Sequence, residues 1–98
     1  MLEIEKILSS YGRTRILTVM IETDELNISE ITRRAGLSHS ATARHLEYLT
    51  SAGILTEKRF NRIRIFRLDH KNPYVDALSR FVIDWKAAGE STYPSDYN

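Results

Sequence analysis

Basic side chains are concentrated in the middle of this 98-residue chain. Residues 28–67 contain eight lysines and arginines and three acidic residues, a net charge of 8 − 3 = +5. Each flank has three basic and five acidic residues, so the formal net charge of the whole chain is only +1. The middle segment is therefore the part that a polyanion such as nucleic acid would bind. The alternative is that these charges only solvate a surface.

A predicted helix from Ser38 to Ser51 or Ala52 carries the most specific candidates. Thr42, Leu46 and Leu49 form its inward stripe, so the opposite face is free for contacts. A helix of this diameter fits the major groove of DNA, where an arginine can bind guanine in a bidentate manner and a glutamate can accept a hydrogen bond from cytosine. The predicted DNA contacts on this helix are Ser38, His39, Ser40, Ala41, Ala43, Arg44, Glu47 and Tyr48.

A basic hairpin follows. The segments 54–60 and 63–68 are rich in β-branched and aromatic residues and predict two strands joined at Asn61 and Arg62. Cations at the end of such a hairpin suit DNA phosphates or a neighbouring minor groove. The same cations are also a common protection of an exposed strand edge against aggregation. The predicted contacts in the hairpin are Lys58, Arg59, Asn61, Arg62 and Arg64.

The elements before this region follow from apolar spacing and turn residues. Ile4, Ile7, Leu8 and Tyr11 predict a first helix, which Gly12 breaks, and a second helix runs from Thr14 to about Glu22. A very short strand around Leu26 and Ile28 follows. Ser29 is the predicted cap of a third helix that ends near Ala35, with Gly36 closing it and Gly53 ending the next one.

A last helix is predicted from Pro73 to Gly89, capped by Asn72. Its apolar stripe is larger than a small core readily hides, so it either folds onto its own domain or pairs with the first helix of a second chain. Residues 1–89 then form one domain, and 90–98 are predicted to be a flexible tail. The predicted dimerisation residues are Ile4, Ile7, Leu8, Tyr74, Leu78, Phe81, Val82 and Trp85.

The stretch SEITRRAGLSHSATARHLEYLTSAGIL, with its GLS turn and R-H-L run, and the basic hairpin ending FRL resemble the ArsR-type winged-helix transcriptional regulators. GRTRIL at Gly12–Leu17 is similar to the family's second helix, and the resemblance covers roughly residues 10–70. It implies an α+β, mainly α, winged helix-turn-helix fold with N- and C-terminal helices and a two- to three-stranded wing sheet. It also implies a homodimer that binds double-stranded DNA sequence-specifically. A two-fold dimer predicts a palindromic site.

Metal sensing, which the resemblance implies for many members, is not expected here. The chain has no cysteine, and the position of the family's Cys-containing motif holds Leu26–Glu30. His39, His45 and His70 have no ligand spacing, so no metal and no cofactor are predicted. Catalysis is not expected either, because Ser38, His39 and Ser40 are sequence neighbours that do not face one another on a helix.

Two further expectations concern location and partners. The chain has no apolar stretch near the roughly 20 residues of a membrane span, and no membrane partner and a cytoplasmic location are expected. The alternative function is a winged-helix module that binds protein through the last helix and the tail.

Overall fold

The structure, a computed structural model, describes residues 2–91. No helix in this range is long and apolar enough to cross a membrane. The predicted tail lies, except for Glu90 and Ser91, outside the described residues. The elements are α1 (Ile4–Ile7), α2 (Tyr11–Thr23), β1 (Glu25–Asn27), α3 (Ile28–Ala35), α4 (His39–Ser51), β2 (Leu55–Phe60), β3 (Ile63–Leu68) and α5 (Pro73–Gly89).

The break between the first two helices lies earlier than predicted. Ser10 caps α2, and its hydroxyl accepts a hydrogen bond from the Arg13 amide (3.2 Å). Gly12 is buried inside α2 and does not end a helix. A Cβ at this position would lie 2.9 Å from Nε2 of His45. Glycine is therefore needed because α4 approaches α2 closely at this point, and the prediction that Gly12 breaks the helix was wrong.

The cap of α3 is also not the predicted one. Asn27 is the N-cap, and its side chain accepts a hydrogen bond from the Glu30 amide (2.9 Å), whereas Ser29 already lies inside the helix. At the other end Gly36 adopts the left-handed conformation with φ 69°, as predicted. Ser38 then caps α4 by accepting from the Ala41 amide (3.1 Å), also as predicted.

The three strands form one antiparallel sheet in the order β1-β3-β2. The hairpin of β2 and β3 ends with Phe60 opposite Ile63. Asn61 between them has φ 58°, a left-handed conformation that asparagine tolerates better than most residues. The predicted hairpin and its tip are confirmed.

The core lies between the helices and one face of the sheet. Helix α5 contributes only Val75 as a fully buried side chain. The apolar stripe predicted for α5 lies beside Val75, and its aromatic members Tyr74, Phe81 and Trp85 are exposed. The architecture is a mainly helical winged helix-turn-helix fold with a three-stranded sheet. The buried apolar side chains are Ile7, Ile16, Leu17, Val19, Met20, Ile28, Ile31, Ala35, Leu46, Leu49, Ile54, Leu55, Phe66, Leu68 and Val75.

Candidate nucleic-acid interface

Helix α4 is anchored by one face and presents the other. Thr42, Leu46 and Leu49 are 0% exposed, so the predicted inward stripe is confirmed. The first turn begins at the Ser38 cap, which leaves its polar side chains at the surface. Of the predicted contacts, Ser38, His39, Ser40, Arg44 and Glu47 are exposed, and Ala41, Ala43 and Tyr48 are half-buried.

One face of the Tyr48 ring is covered by Arg13, which is not among the predicted site residues. The guanidinium carbon of Arg13 lies 3.9 Å from the centroid of the Tyr48 ring. Arg13 also donates a hydrogen bond to the backbone carbonyl of Lys6, at the end of α1. One face of the ring is therefore occupied within the protein. Arg13 lies in the GRTRIL segment, but its contact with α4 depends on tertiary approach and has no local sequence signal.

His45 points into the protein and not toward the outer face of α4. Its Nε2 lies 3.5 Å from the Ser10 hydroxyl, and its buried Nδ1 has no hydrogen-bond partner among the described residues. Burial lowers the pKa of His45, and the positive charges of Arg13 and Arg44 lower it further. Because both effects penalise the imidazolium, the neutral ring is the favoured form at neutral pH.

The hairpin is less positive than its sequence suggests. Arg64 donates two hydrogen bonds to the Glu57 carboxylate (2.7 and 3.2 Å), and Arg59 lies 3.5 Å from the same carboxylate. The hydrogen bonds from Arg64 hold the pKa of Glu57 below its ordinary value. Lys58 and Arg62 are exposed and have no ion pair within residues 2–91. Arg67, toward the base of the hairpin, is likewise exposed without an ion pair among these residues, so Lys58 and Arg62 are the available cations near the tip of this hairpin of β2 and β3, the wing.

Arg33 and Arg34 on α3 are engaged locally. They bind the Glu30 carboxylate at 2.8 and 3.2 Å, and their hydrogen bonds lower the pKa of Glu30 to about 2. Arg15 donates to the backbone carbonyl of Arg34 and so covers the end of α3. This cluster is an exposed local network, of a kind that contributes little to stability.

An apolar groove of about 300 Å³ runs between α1 and α5. Ile7 is 2% exposed, so it belongs to the core of its own domain and lies at the base of the groove. Leu8 and Val82 are half-buried, and Ile83 is exposed although the sequence did not single it out. The groove is lined by Leu2, Ile4, Ile7, Tyr74, Ala77, Leu78 and Phe81. Trp85 lies beyond it, 71% exposed, with its ring 5.9 Å from that of Phe81.

The histidines lie apart from one another. His39 is on the outer face of α4, His45 is packed against Ser10, and His70 pairs with Asp24 through Nε2 and Oδ1 (2.6 Å). No group of three or more His, Cys, Asp or Glu side chains within residues 2–91 has the arrangement of a metal site.

Comparison with known proteins finds similarity to one family of regulators. Residues 10–57 match the model of the bacterial regulatory proteins of the arsR family. Over 80 residues the chain is 34% identical to ArsR1, an arsenic resistance transcriptional regulator of Pseudomonas putida, and the match covers 81% of this chain and 62% of that protein. The chain thus spans less than two thirds of the length of this relative.

Two solved structures share the fold. The antimony-specific repressor AntR superposes with a TM-score of 0.73 at 20% identity, covering 87% of this chain and 75% of AntR. The homodimeric winged helix-turn-helix domain of Mb0332 from Mycobacterium bovis superposes with a TM-score of 0.68 at 18% identity, covering 93% of this chain and 83% of that domain. At these identities the likeness establishes the winged helix-turn-helix fold.

Proposed function

We propose that this chain, whose residues 10–57 match the model of the arsR family of bacterial regulatory proteins, binds double-stranded DNA sequence-specifically and regulates transcription. The observation that carries the proposal is the outer face of α4. Its polar side chains are exposed at the start of a helix whose other face is fixed in the core by Thr42, Leu46 and Leu49. A helix held in this way can enter the major groove without rearrangement.

The outer face of α4 offers a short set of base contacts. Arg44 is exposed and can bind guanine in a bidentate manner, and Ser40 and His39 lie in the first turn. Ala41 and Ala43 are small, so the helix backbone can approach the bases closely. Glu47 lowers the local positive charge, and it can accept a hydrogen bond from the amino group of cytosine.

The wing supplies electrostatic affinity beside this helix. Lys58 and Arg62 are exposed at the hairpin and can bind phosphates, a contact that does not depend on DNA sequence. Asn61 at the tip can donate a hydrogen bond to the same backbone.

Selection of bound duplexes from a random DNA pool tests whether α4 contacts the bases while the wing contacts the phosphates. We expect wild-type protein to enrich a defined sequence from a random DNA pool. Arg44→Ala or Ser40→Ala should change which bases are preferred, whereas Arg62→Ala should weaken all duplexes alike. If Arg44→Ala and Ser40→Ala both enrich the wild-type sequence and bind it with wild-type affinity, the proposal that α4 contacts the bases is contradicted.

We further propose that a second copy of this chain covers the groove between α1 and α5. Tyr74, Phe81 and Trp85 leave a large aromatic surface exposed, which soluble monomers rarely tolerate. The homodimeric domain of Mb0332, similar in fold, supports this assembly. A two-fold dimer places two α4 helices one DNA turn apart and predicts a palindromic site.

A pair of variants on α5 tests the dimer. Phe81→Glu places a charge beside the groove and should yield monomers in analytical ultracentrifugation. Ile83→Glu is the matched control: Ile83 is 59% exposed against 50% for Phe81, but it lies on the other side of the helix. Wild-type protein that sediments as a monomer at high concentration would exclude the assembly.

Regulation by a metal ion is not part of the proposal. The 98 residues contain no cysteine, and the three histidines lie apart: His39 on the outer face of α4, His45 packed against Ser10, and His70 after β3. We therefore expect zinc to leave the DNA affinity unchanged. Stoichiometric zinc binding with altered DNA affinity would contradict this.

A further inference from the structure

The tip of the wing has two chemically different faces. Side chains alternate along a strand, so Phe60 and Ile63, which pair across the hairpin, share one face with Lys58. Arg59 and Arg64 pair on the other face, together with Glu57. We call these the apolar face (Lys58, Phe60, Ile63) and the charged face (Glu57, Arg59, Arg64).

The charged face is partly neutralised and turned toward the helices. Glu57 holds Arg64 at 2.7 Å and lies 3.5 Å from Arg59. Leu55 and Phe66, which share this face by strand alternation, are buried in the core, so the face lies on the side of the helices. The carboxylate of Glu47 on α4 also raises the pKa of Arg64. The arginines of this face therefore have an acidic partner within the protein.

Within residues 2–91 the apolar face has no such partner. Phe60 is 66% exposed and Ile63 is 50% exposed, and neither belongs to the hydrophobic core cluster. Two exposed cations without an ion pair are next to them, since Lys58 is on the same face and Arg62 is at the turn. An apolar pair flanked by free cations is complementary to a surface that is itself apolar and bordered by negative charge.

We infer that Phe60 and Ile63 pack against the deoxyribose wall of the DNA minor groove, with Lys58 and Arg62 on the adjoining phosphates. The inference rests on the proposed DNA binding and adds to it an apolar contact at the wing. Apolar side chains of DNA-binding proteins are known to enter the minor groove. Such a contact adds affinity that does not depend on released counterions.

The salt dependence of binding separates this contact from a phosphate contact. We compare wild type with the double variant Phe60→Thr, Ile63→Thr, in which the β-branched threonines preserve strand propensity. Affinity for a duplex should fall about tenfold at every salt concentration, because apolar burial is lost. The slope of log affinity against log salt should not change. Arg62→Ala should instead reduce that slope by about 0.9.

A second arm locates the contact in the minor groove. Duplexes of alternating dG·dC and dI·dC present the same major-groove edges, but inosine lacks the amino group that projects into the minor groove. Wild type should prefer the dI·dC duplex, because its groove admits the apolar pair more deeply. The preference should shrink in the double variant.

Controls keep the outcomes distinct. Ile83→Thr removes an isoleucine of similar exposure (59% against 50% for Ile63) from α5 and should bind DNA as wild type does. Phe60→Leu keeps an apolar side chain and should retain most of the affinity, and thermal unfolding confirms that each variant is folded. If wild type binds DNA and the double variant binds equally well, the apolar contact is wrong and the proposed function stands. If wild type shows no salt-dependent binding, both fail.

Discussion

The guanidinium carbon of Arg13 lies 3.9 Å from the centroid of the Tyr48 ring. Because Arg13 also donates to the Lys6 carbonyl, one side chain joins α2 to both α1 and α4. A cation over an aromatic face is worth about 0.5–1 kcal/mol at a partly exposed site. The orientation of α4 therefore depends in part on a residue outside the helix-turn-helix.

A double-mutant cycle measures this contact. Arg13→Ala and Tyr48→Ala should each reduce the free energy of unfolding in urea, and the double variant should lose less than the sum, by about 0.5–1 kcal/mol. Tyr48→Phe should retain the coupling, because the ring face remains. Strictly additive losses would show that the two side chains do not interact.

The contact between Gly12 and His45 predicts a substitution whose effect changes sign. Gly12→Ala places a Cβ 2.9 Å from Nε2 of His45, so it should lower the free energy of unfolding by about 1 kcal/mol. In a His45→Ala background the same substitution should raise it by up to about 1 kcal/mol, since alanine is the better helix former. Urea denaturation of the four proteins gives the comparison. The close approach is refuted if Gly12→Ala has the same effect in both backgrounds.

His45 makes stability dependent on pH. Burial, aided by Arg13 and Arg44, lowers its pKa from the ordinary 6.5, so between the two pKa values the unfolded chain binds more protons than the folded one. This contribution to stability is complete above pH 6.5 and is lost as the pH falls toward the folded pKa. NMR titration should find the His45 ring titrating below its ordinary pKa. His45→Gln should show a weaker fall in stability between pH 7 and pH 5, and a native pKa of 6.5 or above would contradict the account.

Glu57 limits the positive charge of the wing. Glu57→Gln removes the carboxylate that binds Arg64 and lies 3.5 Å from Arg59. We expect tighter binding to DNA of any sequence and a slope of log affinity against log salt that is steeper by up to about 0.9. Fluorescence anisotropy across a salt series measures both quantities. Glu25→Gln is a control that changes charge by the same amount on β1, and an equal effect of the two variants would show that the Glu57 contacts are irrelevant.

The helix-turn-helix could be predicted from the sequence because its signals are local. Ser38 lies just before an apolar stripe of helical period, Gly36 ends the preceding helix, and Asn61 lies between two strands of high β-propensity. Each of these depends on residues within one or two turns of chain.

The missed features depend on contacts between distant segments. Gly12 was predicted to break a helix because the residue that requires a glycine there, His45, is 33 positions away in the sequence. Asn27 and Ser29 are both residue types that cap helices well. Asn27 is the N-cap of α3 because β1, which pairs with β3, ends at that residue. The ion pair between Arg64 and Glu57 depends on the register of β2 and β3, which the sequence specifies only through the hairpin.

Binding of the wild-type protein to duplex DNA across a salt series is the most direct test of the central claim, that α4 and the wing bind DNA. We predict tight binding at low salt that weakens linearly in log affinity against log salt, and a selected sequence that is bound more tightly than random DNA at every salt concentration. Absence of binding at low salt would contradict the claim and favour a winged-helix module that binds protein.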